Sequence, residues 1–339
     1  MPRINISNKF QLLSVGGILV IGICGCGAGA VIDRTINPTY AYFTNFDNNS
    51  YNKCGVESKG INPATCRIIY LPESSALNNP RGIAFNGHYA YIVNGGGNSY
   101  TQCNVVSHGI ESTTCVNVIP SGSGALNYPI GIAFNGHYAY IVNGGGNSYT
   151  QCNIDNIGFI ESSTCVTIKL SESSALSNPR GIAFNVNYAY IVNFGNANYT
   201  QCNIDNTGFI ESSTCVNIIP TGSGALNTPT GIAFNGHYAY IVNYNANNYT
   251  QCSVDNTGLI ESSTCVNVAP SGYGAFYYPS EIAFNGNYAY FTNTNINNYT
   301  QCSVDSNGSI ESATCFNVTP TGLGGLDRPY GIAFYASQP

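Results

Sequence analysis

Cysteines are the residues of this chain whose number and spacing point most directly to chemistry. Twelve of the 14 form six pairs whose partners are 12 or 13 positions apart. The pairs are Cys54/Cys66, Cys103/Cys115, Cys152/Cys165, Cys202/Cys215, Cys252/Cys265 and Cys302/Cys315. No Cys-x-x-Cys occurs, and no second pair of ligands stands at zinc-site spacing, so a zinc site is not expected. The even, regular set predicts one disulfide in each repeat; the alternative is pairs of buried free thiols.

The segment between two paired cysteines tests this prediction geometrically. If residues 205–208 formed a tight hairpin turn, Cys215 would lie about 10 Å beyond the residue that faces Cys202. A bridge needs Cα atoms within about 7 Å. However, the spacing differs between repeats, and Pro63 interrupts the same segment in the first one. We therefore expect residues 205–213 to form a loop and a strand that includes the second cysteine to start at Thr214, which places the two cysteines opposite each other.

Few other residues have the types and spacing that catalysis needs. Three histidines, His88, His137 and His237, share one Asn-Gly-His link where other repeats have asparagine, and His108 stands alone. Four aspartates open short turns, either as metal ligands or, as we favour, as turn caps. They are Asp155, Asp205, Asp255 and Asp305. No Gly-x-Ser-x-Gly elbow or phosphate loop is present. The sequence predicts no catalytic residue, no metal and no cofactor.

Internal repeats must position these residues. Gly-Ile-Ala-Phe starts at residues 82, 131, 181, 231 and 331, with Glu-Ile-Ala-Phe at 281. Tyr-Ala-Tyr starts at 40, 89, 138, 188, 238 and 288. The first Tyr-Ala-Tyr has no Gly-Ile-Ala-Phe before it, and the last Gly-Ile-Ala-Phe has no Tyr-Ala-Tyr after it. A C-terminal strand that completes the N-terminal unit and closes a ring explains this offset.

Each unit contains four segments typical of short β-strands: GIAFN, YAYIVN, YTQCNV and TCVNVIP. They are rich in β-branched and aromatic residues, and turn-forming segments separate them. Four strands in a repeat of this length are typical of a β-propeller blade. An open solenoid is the alternative, but it leaves the offset unexplained. We predict an all-β, six-bladed β-propeller with four antiparallel strands per blade over residues 37–339.

Three motifs carry a family resemblance: NPRGIAF, YIVN and, at residues 42–45, YFTN. They resemble NHL-type and YVTN-type β-propeller repeats from about Asn37 onward. The resemblance implies the fold, and such propellers include binding scaffolds and enzymes alike. We expect a monomeric, non-catalytic module that binds a protein, peptide or glycan. A lactonase-like hydrolase or lyase is the alternative, but it needs several acidic or histidine ligands in the channel, and the inner strands carry almost none.

The repeats differ most where two sets of loops should meet at the channel mouth. The Pro-x-Gly before each inner strand carries Arg81, Ile130, Arg180, Thr230, Ser280 or Tyr330. We expect a ligand to contact Arg81, Arg180 and Tyr330 beside the asparagines of the neighbouring loops. Those asparagines are Asn94, Asn143, Asn193, Asn243 and Asn293. Two alternatives remain: the arginines pair with Glu73 and Glu172, and the asparagines only satisfy turn geometry.

Composition excludes a nucleic-acid partner. Only 8 % of residues are charged, the formal net charge is −6, and no cluster of Lys and Arg is present. Nucleic-acid binders instead show a basic patch or stripe. Hydrophobic residues make up 43 % of the chain, which is enough for a folded core.

The N-terminus has the pattern of an export signal. Arg3 and Lys9 precede an uncharged run over residues 10–32. Residues 23–26, Ile-Cys-Gly-Cys, resemble a bacterial lipobox and imply lipidation of Cys26. A retained membrane anchor and a cleaved signal are the alternatives. We expect residues 1–36 to serve export. The propeller would then lie in the cell envelope or be secreted, touching a membrane only through this segment.

Overall fold

Six antiparallel sheets arranged as a ring make up residues 40–336, the part of the chain that the computed structural model describes. The prediction of an all-β, six-bladed propeller is confirmed. Each sheet is one blade, and we number the blades from the N-terminus. Blade 1 contains Tyr40–Asn45, and the inner strands of blades 2 to 6 begin at Pro80, Pro129, Pro179, Pro229 and Pro279.

Each blade has four strands that run from the channel outward. The inner strands are Pro80–Asn86, Pro129–Asn135, Pro179–Asn185, Pro229–Asn235, Pro279–Asn285 and Pro329–Tyr335. The second strands are Tyr40–Asn45, Tyr89–Asn94, Tyr138–Asn143, Tyr188–Asn193, Tyr238–Asn243 and Tyr288–Asn293. The third strands are Ser50–Glu57, Ser99–Val106, Ser148–Asn153, Asn198–Asn203, Asn248–Ser253 and Asn298–Ser303. The outer strands are Arg67–Ile69, Val116–Val118, Val166–Ile168, Val216–Ile218, Val266–Val268 and Phe316–Val318.

Short elements fill the loops. Blades 1 and 2 add the two-residue strands Gly60–Ile61 and Gly109–Ile110. One 3-10 turn precedes each outer strand: Pro63–Thr65, Ser112–Thr114, Ser162–Thr164, Ser212–Thr214, Ser262–Thr264 and Ser312–Thr314. Two more, Glu73–Ser75 and Glu172–Ser174, lie in the connections to blades 2 and 4. Among the described residues, no helix is long and apolar enough to cross a membrane.

The ring closes in blade 1, where the C-terminal strand becomes the inner strand. Pro329–Tyr335 pairs antiparallel with Tyr40–Asn45, so that Ala41 faces Phe334 and Phe43 faces Ile332. Ile332 and Phe334 are completely buried. The offset between the two sequence motifs therefore does reflect closure by a shared blade.

The hydrophobic core consists of layers between neighbouring blades. Between blades 3 and 4, for example, Tyr140 packs against Phe184 with ring centroids 5.1 Å apart, and Ile182 and Ile191 fill the same layer. The inner strands approach backbone to backbone at their glycines. A Cβ on Gly181 would lie 2.6 Å from the carbonyl oxygen of Thr230 and would clash with it. Only glycine, which has no Cβ, fits this close approach. Neighbouring blades therefore contact each other through buried side chains and, at the inner strands, through their backbones.

A tyrosine hydroxyl ties each of several blades to the next one. In blade 4, Tyr190 donates to the carbonyl oxygen of Gly258 (2.7 Å) and accepts from the N–H of Ile260 (3.1 Å). Both partners belong to the loop that the disulfide of blade 5 closes. Tyr91, Tyr140 and Tyr240 bond the following blade in the same way. We call these contacts the tyrosine latches.

All six predicted disulfides are present, each with Cα atoms 4.1 Å apart. They join Cys54 to Cys66, Cys103 to Cys115, Cys152 to Cys165, Cys202 to Cys215, Cys252 to Cys265 and Cys302 to Cys315. The alternative of buried free thiols is therefore wrong. Six disulfides indicate an oxidising compartment. Residues 1–36, with the predicted lipidation site Cys26, lie outside the described residues, and their role stays a prediction.

The second cysteine of each pair does not lie in the outer strand, and this part of the prediction is wrong. In every blade it follows the 3-10 turn directly and precedes the strand by one residue: Cys66, Cys115, Cys165, Cys215, Cys265 and Cys315. The turn holds it there, since the N–H of Cys215 donates to the carbonyl oxygen of Ser212 at 3.5 Å. The outer strand of blade 4 accordingly starts at Val216, two residues later than predicted. Gln201 pairs with Val216, so Cys202 and Cys215 still lie opposite each other.

The aspartates of the disulfide loops cap their turns. Asp205 accepts hydrogen bonds from the N–H groups of Thr207 and Phe209, both at 2.9 Å. The Thr207 hydroxyl bonds the same carboxylate and, together with these N–H groups, lowers the pKa of Asp205. Capping is therefore the role that the structure gives this residue, as favoured above.

Candidate functional site

Two sets of loops meet at one end of the channel, as the sequence predicted. In every blade, the residue after the second strand donates its N–H to the residue before the inner strand's proline. Examples are Tyr244 to Thr228 (3.3 Å) and Phe194 to Asn178 (3.3 Å). This backbone bond brings the variable Pro-x-Gly residue next to the variable loop residue. We call this end of the ring the mouth.

The predicted asparagines lie inside the blades. Asn94 is completely buried. Its Nδ2 donates to Thr101 (2.9 Å) and Asn117 (3.1 Å), and its Oδ1 accepts from the N–H of Asn78 (3.2 Å). Asn143, Asn193, Asn243 and Asn293 are equally buried and hold the same position. An amide that joins three segments in this way has no surface for a ligand, so these five residues support the mouth without lining it.

Arg81 lies at the mouth on the inner strand of blade 2 and is only 7 % exposed. Its guanidinium contacts three rings, at 4.2 Å from the centroid of Phe46, 4.4 Å from that of Tyr330 and 5.0 Å from that of Tyr128. It also donates a hydrogen bond to the hydroxyl of Tyr128 on blade 3. These cation–π contacts stabilise the guanidinium, whose N–H donors lie along the edges of its plane.

Arg180 enters the mouth from blade 4, on the opposite side of the ring from blade 1. Its guanidinium lies 4.0 Å from the ring centroid of Phe194. Its Nη1 donates to the hydroxyl of Tyr330 at 3.2 Å. The two residues are 150 positions apart in sequence, and their contact spans the mouth. The structure thus brings together the three residues Arg81, Arg180 and Tyr330 that the sequence predicted at the rim.

These residues line a cavity of about 230 Å³. The complete lining is Phe46, Arg81, Arg180, Phe194, Tyr244, Thr294, Arg328 and Tyr330. It contains three arginines, four aromatic rings and no acid. Burial raises the pKa of Tyr244, so its hydroxyl stays a neutral donor.

Five lining residues were not predicted. Phe46, Phe194, Tyr244 and Thr294 follow the buried asparagine, a position where blades 2 and 3 have glycine. Variation at this single position of an otherwise repeated loop was the available signal. Arg328 directly precedes the proline of the C-terminal strand.

Neither predicted acid pairs with the mouth arginines. Glu73 and Glu172 are exposed in their 3-10 turns. Within residues 40–336 the salt bridge present joins Arg328 to Asp47, at 3.2 Å. Local ion pairing, the alternative for Arg81 and Arg180, is therefore not what the structure shows.

The described inner strands and their links to the second strands carry one acid, Glu281, and three histidines. Across residues 40–336, no group of three or more His, Cys, Asp or Glu side chains is placed to hold a metal ion. Glu281 is a buried acid on the inner strand of blade 6, at the position that is glycine in the other blades. It accepts from the N–H of Ile282 at 3.3 Å. His88, His137 and His237 are exposed in the links between inner and second strands.

Comparison with known proteins supports the fold. No family model and no curated protein matches the chain. Among solved structures, it is similar to a chain in a nidogen/laminin complex, with a TM-score of 0.61, 15 % identity, and 88 % of this chain and 99 % of that chain covered. A protein from Lactobacillus plantarum gives a TM-score of 0.54 at 14 % identity, covering 88 % and 99 %. A putative 6-phosphogluconolactonase from Bacteroides fragilis gives 0.53 at 16 % identity, covering 87 % and 84 %. At these identities the likeness shows a β-propeller, and the narrower NHL or YVTN type stays a prediction.

Proposed function

We propose that this protein is an exported, non-catalytic binding module that holds a polar ligand at the mouth of its propeller. The observation that carries the proposal is the cavity itself. Arg81 and Arg180 line it with their guanidinium groups about 4 Å from the rings of Phe46 and Phe194, and neither has a carboxylate partner within residues 40–336. Ligand sites commonly combine apolar walls with a few fixed polar groups.

A screen of glycan and peptide arrays with the full chain tests the site. A ligand found on the arrays should lose at least about tenfold in affinity for Arg180→Gln and for Tyr330→Phe, since each change removes a polar group from the cavity. Arg67→Gln is the matched control, because Arg67 is exposed on the outer strand of blade 1. Equal binding to all four proteins would place the site elsewhere.

The lactonase-like alternative has its own test. Turnover of a lactone panel by the purified chain, with and without added divalent cations, should stay at the uncatalysed rate. Turnover that Glu281→Gln abolishes while the fold is kept would contradict a purely binding role.

We also propose that Cys26 carries a lipid and that the propeller is a monomer. Labelled palmitate should be incorporated into the chain expressed in bacteria and not into Cys26→Ser, as expected for a lipobox. Label in both proteins, or in neither, would contradict lipidation at Cys26. Light scattering of the purified protein should give the mass of a single chain.

A further inference from the structure

The mouth cavity carries an excess of positive charge. Its lining holds Arg81, Arg180 and Arg328 and no acid. Of the three, Arg328 is paired with Asp47 in a contact where both side chains are more than 40 % exposed. Since the chain as a whole has a formal charge of −6, this concentration of cations is a local feature of the mouth.

The arginines have hydrogen-bond donors without acceptors. Among the described residues, the Nε of Arg81, Arg180 and Arg328 is buried and has no hydrogen-bond partner. Arg81 as a whole is more than nine-tenths buried. A guanidinium presents five donors along its edges, and leaving one buried without an acceptor is unfavourable. A ligand that brings acceptor oxygens would meet these guanidinium groups at the cavity that the three arginines line.

From these contacts we infer that the cavity binds the carboxylate group of a small ligand; this inference rests on the proposed binding function. An arginine edge matches a carboxylate in a bidentate geometry. The volume of about 230 Å³ is below the roughly 300–1,000 Å³ typical of sites for drug-sized ligands. A small molecule, or the terminal group of a larger one, fits that space.

The aromatic walls favour a carboxylate over a phosphate. The guanidinium of Arg81 lies 4.2 Å from the ring centroid of Phe46 and 4.4 Å from that of Tyr330, and the guanidinium of Arg180 lies 4.0 Å from that of Phe194. A phosphate with nearly two negative charges loses more hydration than a carboxylate does in such a place. The rings also offer flat apolar surface to the rest of the ligand.

Nuclear magnetic resonance of the arginine side chains tests the inference directly. The Nε–H signals of full-length protein would be followed during titration with D-glucuronate and, separately, with N-acetylglycine. D-glucose and N-acetylglycine amide are the uncharged partners of these probes, and inorganic phosphate is a third arm. The Nε–H signals of Arg81 and Arg180 should shift and saturate with at least one carboxylate, at millimolar concentrations typical of a small group. The exposed Arg67 should not shift.

Variants identify the donors. Arg180→Lys keeps the positive charge but loses the planar guanidinium, so it should lower the affinity for the carboxylate probe at least about tenfold. Arg67→Lys should leave that affinity unchanged. An unchanged melting temperature would show that the fold is intact. If Arg180→Lys alone fails to fold, Tyr330→Phe and the shift of the Arg81 signal provide the same test.

The outcomes separate this inference from the proposed function. Sugar-acid binding without N-acetylglycine binding, or the reverse, supports the inference and identifies the source of the carboxylate. Equal binding of glucose and glucuronate, tighter binding of phosphate, or no shift up to about 50 mM would overturn it. The proposed function is tested separately, by the array ligand and the mouth variants and by the lactone turnover assay.

Discussion

Tyr190 and Tyr199 belong to the same blade, are completely buried, and have ring centroids 5.9 Å apart. Their hydroxyl groups differ in one respect. That of Tyr190 forms a tyrosine latch with Gly258 and Ile260, whereas that of Tyr199 has no hydrogen-bond partner among the described residues. The pair separates the contribution of a hydrogen bond from that of ring burial.

Tyr190→Phe should lower the free energy of unfolding by about 1–3 kcal/mol, because it leaves the buried N–H of Ile260 without its partner and leaves the carbonyl of Gly258 only the long bond from Asn185 Nδ2, at 3.5 Å. Tyr199→Phe should change it by less than about 0.5 kcal/mol, or raise it slightly. Chemical denaturation of both variants measures the difference. Equal losses would show that the latch contributes nothing beyond packing.

At the level of single residues, the sequence predicted part of the mouth. Arg81, Arg180 and Tyr330 stand out because they break a repeated pattern. The contact between Arg180 and Tyr330 was not predictable, since it joins residues that lie on opposite sides of the ring. The asparagines were assigned to the ligand for the wrong reason: an amide that suits a ligand also suits a buried junction, and only the structure tells the two apart.

The disulfide loops are the elements that join the blades. Tyr140 of blade 3 donates to Gly208 and accepts from Ile210, both inside the loop that Cys202 and Cys215 close. The disulfide of blade 4 therefore holds in place the carbonyl oxygen that accepts the hydrogen bond from Tyr140 of blade 3. Stabilisation by the disulfide and by the latch should therefore be coupled.

Replacing Cys202 and Cys215 together by serine should cost up to about 3 kcal/mol in the chain-entropy model. The cost of Tyr140→Phe should fall by more than about 0.5 kcal/mol in that background, because the looser loop holds its acceptor less well. The matched control combines Tyr140→Phe with serine at Cys302 and Cys315, where the effects should add. Denaturation of each set gives the coupling free energy, and additivity in both backgrounds would contradict the coupling.

Most elements were predictable because each blade repeats the same local signals. Alternating β-branched and aromatic residues predicted the strands, and the changing cysteine spacing predicted the loop. The 3-10 turns at Ser212–Thr214 and its equivalents were not predicted, so the second cysteines were assigned to the strand that follows them. Three-residue turns leave no periodic pattern, and the Thr214 hydroxyl that accepts from the N–H of Asn203 at 2.9 Å is a contact across the blade.

For the molecule as a whole, the closing strand is the point at which the ring can be opened. Deleting residues 329–339 removes Ile332 and Phe334, and burial of each side chain stabilises the fold by roughly 1.5–3 kcal/mol. The deletion also leaves the strand Tyr40–Asn45 with an unpaired edge. We expect a large fall in melting temperature or aggregation. Deleting only residues 337–339, which lie beyond the strand, is the control and should leave the melting temperature unchanged. An unaffected long truncation would mean that the ring does not depend on its last strand.

Alkaline pH should unfold the ring cooperatively. Burial raises the pKa of twelve core tyrosines above the ordinary value of 10.0: Tyr42, Tyr51, Tyr91, Tyr100, Tyr140, Tyr149, Tyr190, Tyr199, Tyr240, Tyr249, Tyr290 and Tyr299. Above pH 10 the unfolded chain loses protons that the folded chain keeps. Stability is therefore full below that pH and falls above it, by about 1.4 kcal/mol per tyrosine and pH unit.

Tyrosinate absorbance and circular dichroism, followed together from pH 9 upward, measure this transition. The twelve core tyrosines should ionise in one step with the loss of structure, within about two pH units above 10. Gradual ionisation of all 26 tyrosines with the fold intact would contradict the burial that the structure shows.

Arg328 and Tyr330 come from the C-terminal end of the ring, yet they complete the lining of the mouth cavity. During synthesis the other lining residues are made earlier, and the cavity does not exist until the final strand has docked beside the first. Under the proposed function, a chain whose last strand has not yet paired with the first therefore cannot bind the ligand. By mass action, an occupied mouth also stabilises the one junction between blade strands that no chain connection secures.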